Sequence, residues 1–159
     1  MFKKLKQRKL TQQGFNLVEL LIVIAIISII AAIGYPSYQD SLEKSRRTDG
    51  REALLRAAAL QERWYLQRNQ YTNNMLDIGG ADSEERYYTL ATAFNFNGAN
   101  DCSAADERRC FTLTATAQGV QANDEECIRL TIDNLGRKRS FRAGAGTAGE
   151  TTNTGRCWN

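Results

Sequence analysis

From Leu20 to Ile33 every residue except Ser28 is apolar. With Phe15–Glu19 before it and Gly34–Tyr35 after it, the stretch is 21 residues long. At about 1.5 Å per helical residue it spans roughly 30 Å, the thickness of a bilayer's hydrocarbon core. The run is rich in Ile and Val, which are mediocre helix formers in water, but lipid leaves a backbone no other way to satisfy its polar groups. The pattern therefore predicts a membrane-spanning helix over residues 15–36. Pro36 has no N–H for the carbonyl of Ala32, so a kink or local melting is predicted at Gly34–Pro36.

After Pro36 the period changes. Ser37 to about Gln70 reads as an amphipathic helix, with Ala53, Ala57, Leu60 and Trp64 at i, i+4, i+7 and i+11. Glu43 with Arg47 and Glu52 with Arg56 form i, i+4 pairs suited to exposed faces. Gly50 is its weak point, costing about 1 kcal/mol against Ala in a helix interior. Residues 71–86 carry loop signals, among them Asn73-Asn74 and Gly79-Gly80. Strand patterns follow over Tyr87–Phe94, Phe111–Ala117 and Ile128–Ile132. A turn at Asp133-Asn134-Leu135-Gly136 leads into a fourth strand over Arg137–Arg142. In Phe111–Ala117 the alternation is strict, apolar on one face and Thr on the other. The arrangement is α+β, with one face of an antiparallel sheet set on the helix.

Charge changes the picture at the N-terminus. Lys3, Lys4, Lys6, Arg8 and Lys9 precede the apolar run with no acid among residues 1–14. The whole chain carries +3, so residues 15–159 carry −2. The positive-inside rule puts residues 1–14 in the cytoplasm and the rest outside, where cysteines can oxidise. A secretory signal would need a small-residue cleavage site such as Ala31-Ala32-Ile33-Gly34. Neither that reading nor a plain signal anchor accounts for Glu19, an ionisable group inside a membrane span that calls for a partner.

Gly14-Phe15-Asn16-Leu17-Val18-Glu19-Leu20, between a basic leader and an apolar helix, resembles the class III signal of type IV prepilins. The resemblance implies cleavage between Gly14 and Phe15 by a prepilin peptidase and N-methylation of the new amine on Phe15. It also implies insertion in the bacterial inner membrane with the head in the periplasm, then assembly into an extracellular pilus. Asn16 stands where Thr is more usual. Gly14 lets a protease approach the backbone closely, and Glu19 can neutralise the Phe15 amine of its own or a neighbouring subunit. Such pairing in a low dielectric penalises a wrong axial register. Tyr35-Pro36-Ser37-Tyr38-Gln39-Asp40, Ser45-Arg46-Arg47-Thr48-Asp49-Gly50, Ala53-Leu54-Leu55 and Gln61-Glu62-Arg63-Trp64-Tyr65 are similar to PilE-type minor pilins. The implied fold is a long N-terminal helix on a small sheet of about four strands with a disulfide-tied C-terminal region. The implied domains are a leader over 1–14, a filament-core helix over 15–36 and a head over 37–159. The implied partners are other major and minor pilins, the peptidase/methyltransferase and the inner-membrane assembly machinery, in support of assembly, twitching motility and adhesion.

Four cysteines allow three connectivities. Cys102–Cys110, closing a short loop, and Cys127–Cys157, tying the Gly- and Thr-rich tail to the third strand, are the favoured pairs. The spacing is not that of a zinc site, and the chain has no histidine to act as ligand or general base. No constellation suggests an enzyme, and no cofactor is expected. Trp158 reads as a packing anchor for the tail. Arg137, Lys138, Arg139 and Arg142, with Phe141, form the one local feature that suggests a ligand, nucleic acid, with Arg108, Arg109 and Arg156 as neighbours. Against it stands a solvated edge strand whose charge discourages pairing. Two alternatives to a structural pilus subunit thus remain, a DNA-binding pilin for natural transformation and a type II secretion pseudopilin. The second lacks the acidic calcium-binding loop of the major pseudopilins.

Overall fold

The computed structural model describes residues 16–94, 108–144 and 154–159. The chain divides into two compact units, Met1–Gln39 and Asp40–Asn159. Helix α1 runs from Leu17 to Arg68. Its first part is apolar on every side: the large side chains from Leu17 to Ile33 are between 46% and 73% exposed. A helix greasy all round suits lipid or a helical bundle, not water. Helical structure persists through Gly34 and Pro36, so the local melting expected there does not occur. One proline removes one hydrogen bond, and the bonds of its neighbours carry the helix across.

In the second unit, residues 40–68 of α1 pack on a four-stranded sheet. The strands are β1 (Tyr88–Ala93), β2 (Thr112–Ala117), β3 (Arg129–Asp133) and β4 (Lys138–Phe141), antiparallel in the order β1-β2-β3-β4. Register is set by alternation. Leu113 and Ala115 of β2 face Ile132 and Leu130 of β3, and all four are buried. Thr116 on the other face is exposed. In β3 the alternation fails, because Thr131 and Asp133 are buried as well as Leu130 and Ile132. The turn out of β3 is built on Asp133, whose Oδ1 accepts from the N–H of Leu135 at 3.0 Å and of Arg137 at 2.9 Å. A short helix, α2 (Thr154–Trp158), buries Cys157 and Trp158 in the core, and the Trp158 indole N–H donates to the Arg139 carbonyl at 3.0 Å.

The disulfide Cys127–Cys157 is formed as expected, joining the start of β3 to α2. Cys110 is also disulfide-bonded. Its expected partner Cys102 lies outside the described residues.

The buried stripe of α1 differs from the expected one. Arg47, Gly50, Leu54, Ala57 and Gln61 are buried, while Ala53 and Leu60 are only partly so. Apolar periodicity located the stripe about one residue off because three of its members are a charge, a glycine and an amide. Gln61 explains its own place. Its Nε2–H donates to the Thr72 carbonyl at 2.6 Å and its Oε1 accepts from the Thr72 N–H at 3.1 Å, pairing the side chain with the returning backbone. The helix stops at Arg68 because Asn69 takes a left-handed conformation at φ 54°.

Gly50 is no weak point. A Cβ built there would lie 2.8 Å from Cδ2 of Tyr88 and 2.9 Å from Cε2 and Cγ, so the ring of a fully buried tyrosine occupies the space. Gly50→Ala should therefore lower stability by about 1–3 kcal/mol through overpacking, despite a helix-propensity gain of about 1 kcal/mol. Gly34→Ala, with nothing within 4 Å of its Cβ, should show no such loss. Denaturation of both variants in detergent checks this, and equal stability would refute the packing account.

Candidate functional site

Three residues within one turn of α1 join it to the sheet. Arg47, expected to pair with Glu43 on an exposed face, is instead buried. Its Nε–H and Nη2–H donate to Asp124 Oδ2 at 2.6 Å and Oδ1 at 2.7 Å, a two-pronged ion pair with both side chains about 5% exposed or less. Asp124 is further held by the N–H groups of Glu126 and Cys127 and by Gln121 Nε2. Burial alone would depress the Arg47 pKa, but the hydrogen bond and charge of Asp124, with Glu126 nearby, more than offset it and raise it. Burial likewise pushes the Tyr88 hydroxyl up to about 12. Two residues on, Asp49 accepts from Ser83 Oγ at 2.5 Å and from the N–H groups of Glu85 and Tyr87, fixing the loop that enters β1. Gly50 then admits Tyr88. Arg47, Asp49 and Gly50 thus act as one lock. Arg56 pairs not with Glu52 but with Glu84, at 3.0 Å on the surface.

At the other end of α1, Asn16 Oδ1 accepts from the Val18 N–H at 3.2 Å, capping the first turn. Glu19 sits in that first turn and is exposed. Gly14 and Phe15 lie outside the described residues.

The basic segment is only partly a surface. The Arg137 Nε–H donates to Asp133 at 2.6 Å. Lys138 lies 5.1 Å from the ring centre of Trp158. Arg139 is half-buried, and Phe141 is buried with the Arg129 guanidinium 4.2 Å above its ring. Arg142 and Arg156 approach Glu126 at 4.0 Å and 3.4 Å. Arg108 donates to Gln70 at 3.1 Å, at the far end of α1. Of the basic neighbours singled out, Arg156 meets Arg142 at Glu126, and Arg108 is tied to Gln70. Among the described residues, no group of three or more His, Cys, Asp or Glu could hold a metal.

Residues 9–35 match the prokaryotic N-terminal methylation motif, and residues 36–131 match a family described as type IV minor pilin ComP, DNA uptake sequence receptor. The fimbrial protein of Dichelobacter nodosus is 30% identical over 148 residues, 87% of this chain and 90% of that protein. The chain belongs to the type IV pilin family. The fimbrial protein EcpC of Eikenella corrodens is 30% identical over 113 residues, 71% of each chain. Fimbrial protein Q of Moraxella bovis is 62% identical over 37 residues, so at that identity this pilin spans only 24% of its relative. The family is a structural one whose members assemble into pili with other pilins after prepilin peptidase processing. The methylation motif together with the apolar helix anchors this pilin in the inner membrane before assembly.

The lock makes a sharp prediction. Arg47→Ala strands a buried carboxylate and should cost about 3–5 kcal/mol, whereas Arg47→Met with Asp124→Asn should recover part of it, because the asparagine removes the charge and keeps an oxygen for the N–H groups of Glu126 and Cys127. Urea denaturation of the two variants beside the native chain reads this directly; a double variant as weak as the single one would contradict it.

Proposed function

We propose that this pilin is a minor subunit of a type IV pilus. In this reading residues 1–14 are a leader removed after Gly14, Phe15 is N-methylated, residues 15–36 form the membrane and filament-core helix, and residues 37–159 form the head. The observation that carries it is the methylation-motif match over residues 9–35, joined to a helix that is apolar on every side and has a single acid, Glu19, in its first turn. Removing Glu19 from water is tolerable only beside a positive group, and cleavage creates one at Phe15. The helix N-terminus favours the negative charge as well. Glu19 then selects the axial register in which subunits join. The minor role is supported by the family description matched over residues 36–131. The partners are major and minor pilins and the inner-membrane assembly machinery, and the outcome is support of pilus assembly, twitching motility and adhesion.

Glu19→Ala should insert and be cleaved normally yet enter few filaments. Quantitative mass spectrometry of sheared filaments measures this, along with whether the chain starts at methyl-Phe15. Incorporation of the variant at the native level would remove Glu19 from the assembly step.

A second reading, DNA capture during natural transformation, is favoured by the printed description of that same matched family. The residues matched end at 131, so β4 lies outside them. If Lys138 and Arg142 contact phosphates, DNA binding by the chain should weaken steeply with salt, and Lys138→Gln with Arg142→Gln should lower the log–log slope by about two. Gel-shift titrations at several salt concentrations test it; salt-independent or absent binding leaves the structural role alone.

A further inference from the structure

The end of the apolar stretch carries two large aromatic side chains that lie outside the core. Tyr35 is 65% exposed and Tyr38 is 62% exposed. They are three residues apart on α1, so they stand on neighbouring positions of one side of the helix. Gln39, one turn beyond Tyr35, donates from Nε2 to the Tyr35 hydroxyl oxygen at 3.0 Å. The phenol therefore accepts from the protein and keeps its own proton to give away. Asn16, which caps the first turn, and Tyr35 are 19 residues apart, about 29 Å along a helix and equal to a hydrocarbon core.

We infer that Tyr35 and Tyr38 form a headgroup anchor, a surface for the phospholipid layer on the periplasmic side of the membrane. The proposal rests on the membrane-anchored reading above and adds to it what fixes the depth of the span. A phenol ring is apolar enough to lie against acyl chains and polar enough at its tip to reach a lipid phosphate or ester oxygen. It is therefore most stable where the two meet. The stretch from Leu17 to Ile33 holds only Glu19 and Ser28 as polar side chains, and Ser28 satisfies itself by donating to the Ile24 carbonyl at 2.7 Å. Nothing within that stretch therefore fixes its far boundary. The tyrosine pair does, and it places Gly34–Pro36 at the interface, where water can serve the Ala32 carbonyl that Pro36 cannot bond. Leucine at both positions would lengthen the apolar span by about one turn, roughly 5 Å, and draw the helix inward.

The test uses the full chain in spheroplasts with a single reporter cysteine, Ser37→Cys or Ser41→Cys, and a membrane-impermeant maleimide. With Tyr35 and Tyr38 in place both reporters label. In Tyr35→Leu/Tyr38→Leu the reporter at 37 should label more slowly by about fivefold or more while that at 41 still labels, and Tyr35→Trp/Tyr38→Trp should restore the native pattern. Equal labelling at 37 in all three backgrounds overturns the anchor. Release of the native chain from membranes by alkaline carbonate would instead overturn the membrane-anchored reading itself, so the two failures are distinguishable.

Discussion

The head depends on one buried ion pair. Arg47 leaves the surface of a helix to reach Asp124, and Asp124 in turn gathers the N–H groups of Glu126 and Cys127. A buried pair of this kind adds little net stability over an apolar substitute, because both charges must be stripped of water. Its effect is on uniqueness. A helix that slid by one turn, or rotated by one residue, would leave a guanidinium and a carboxylate unpaired in the core. Asp49 and Gly50 repeat the constraint by different means, one by capping the loop before β1 and the other by admitting the Tyr88 ring. Three neighbouring residues thus specify translation, rotation and distance between helix and sheet.

How much of this was legible beforehand follows from the kind of signal each element leaves. The strands were readable because a sheet with one wet face writes a period of two, as in Thr112–Ala117. The membrane segment was readable because lipid demands an unbroken apolar run. The Cys127–Cys157 pairing and the turn at Asp133–Gly136 followed from loop closure and turn chemistry. The helix-to-sheet lock was not readable. Local rules assign Arg47 to Glu43, four residues back, and charge Gly50 with a propensity cost. The groups that explain both, Asp124 and Tyr88, are 77 and 38 residues away along the chain. A motif such as Ser45–Gly50 can mark a family without revealing that its arginine is buried.

The basic strand teaches the converse lesson. Sequence groups Arg137, Lys138, Arg139 and Arg142 because they are adjacent, but the fold assigns several of them to acids or rings of its own. Charge near β4 is therefore partly structural cement around Asp133 and Glu126.

The two units also live by different solvents, and the disulfide belongs to the second. Cys127 and Cys157 are 0% and 1% exposed, with Trp158 packed beside them. Thiol–disulfide exchange needs an attacking thiolate to reach a sulfur, so a bond this deep is shielded by the fold itself. Its lifetime in a reducing environment is then set by how often the head opens, a rate of unfolding, and not by the redox poise of the surroundings. A head of this design can meet thiols outside the cell and keep its cross-link for as long as it stays folded.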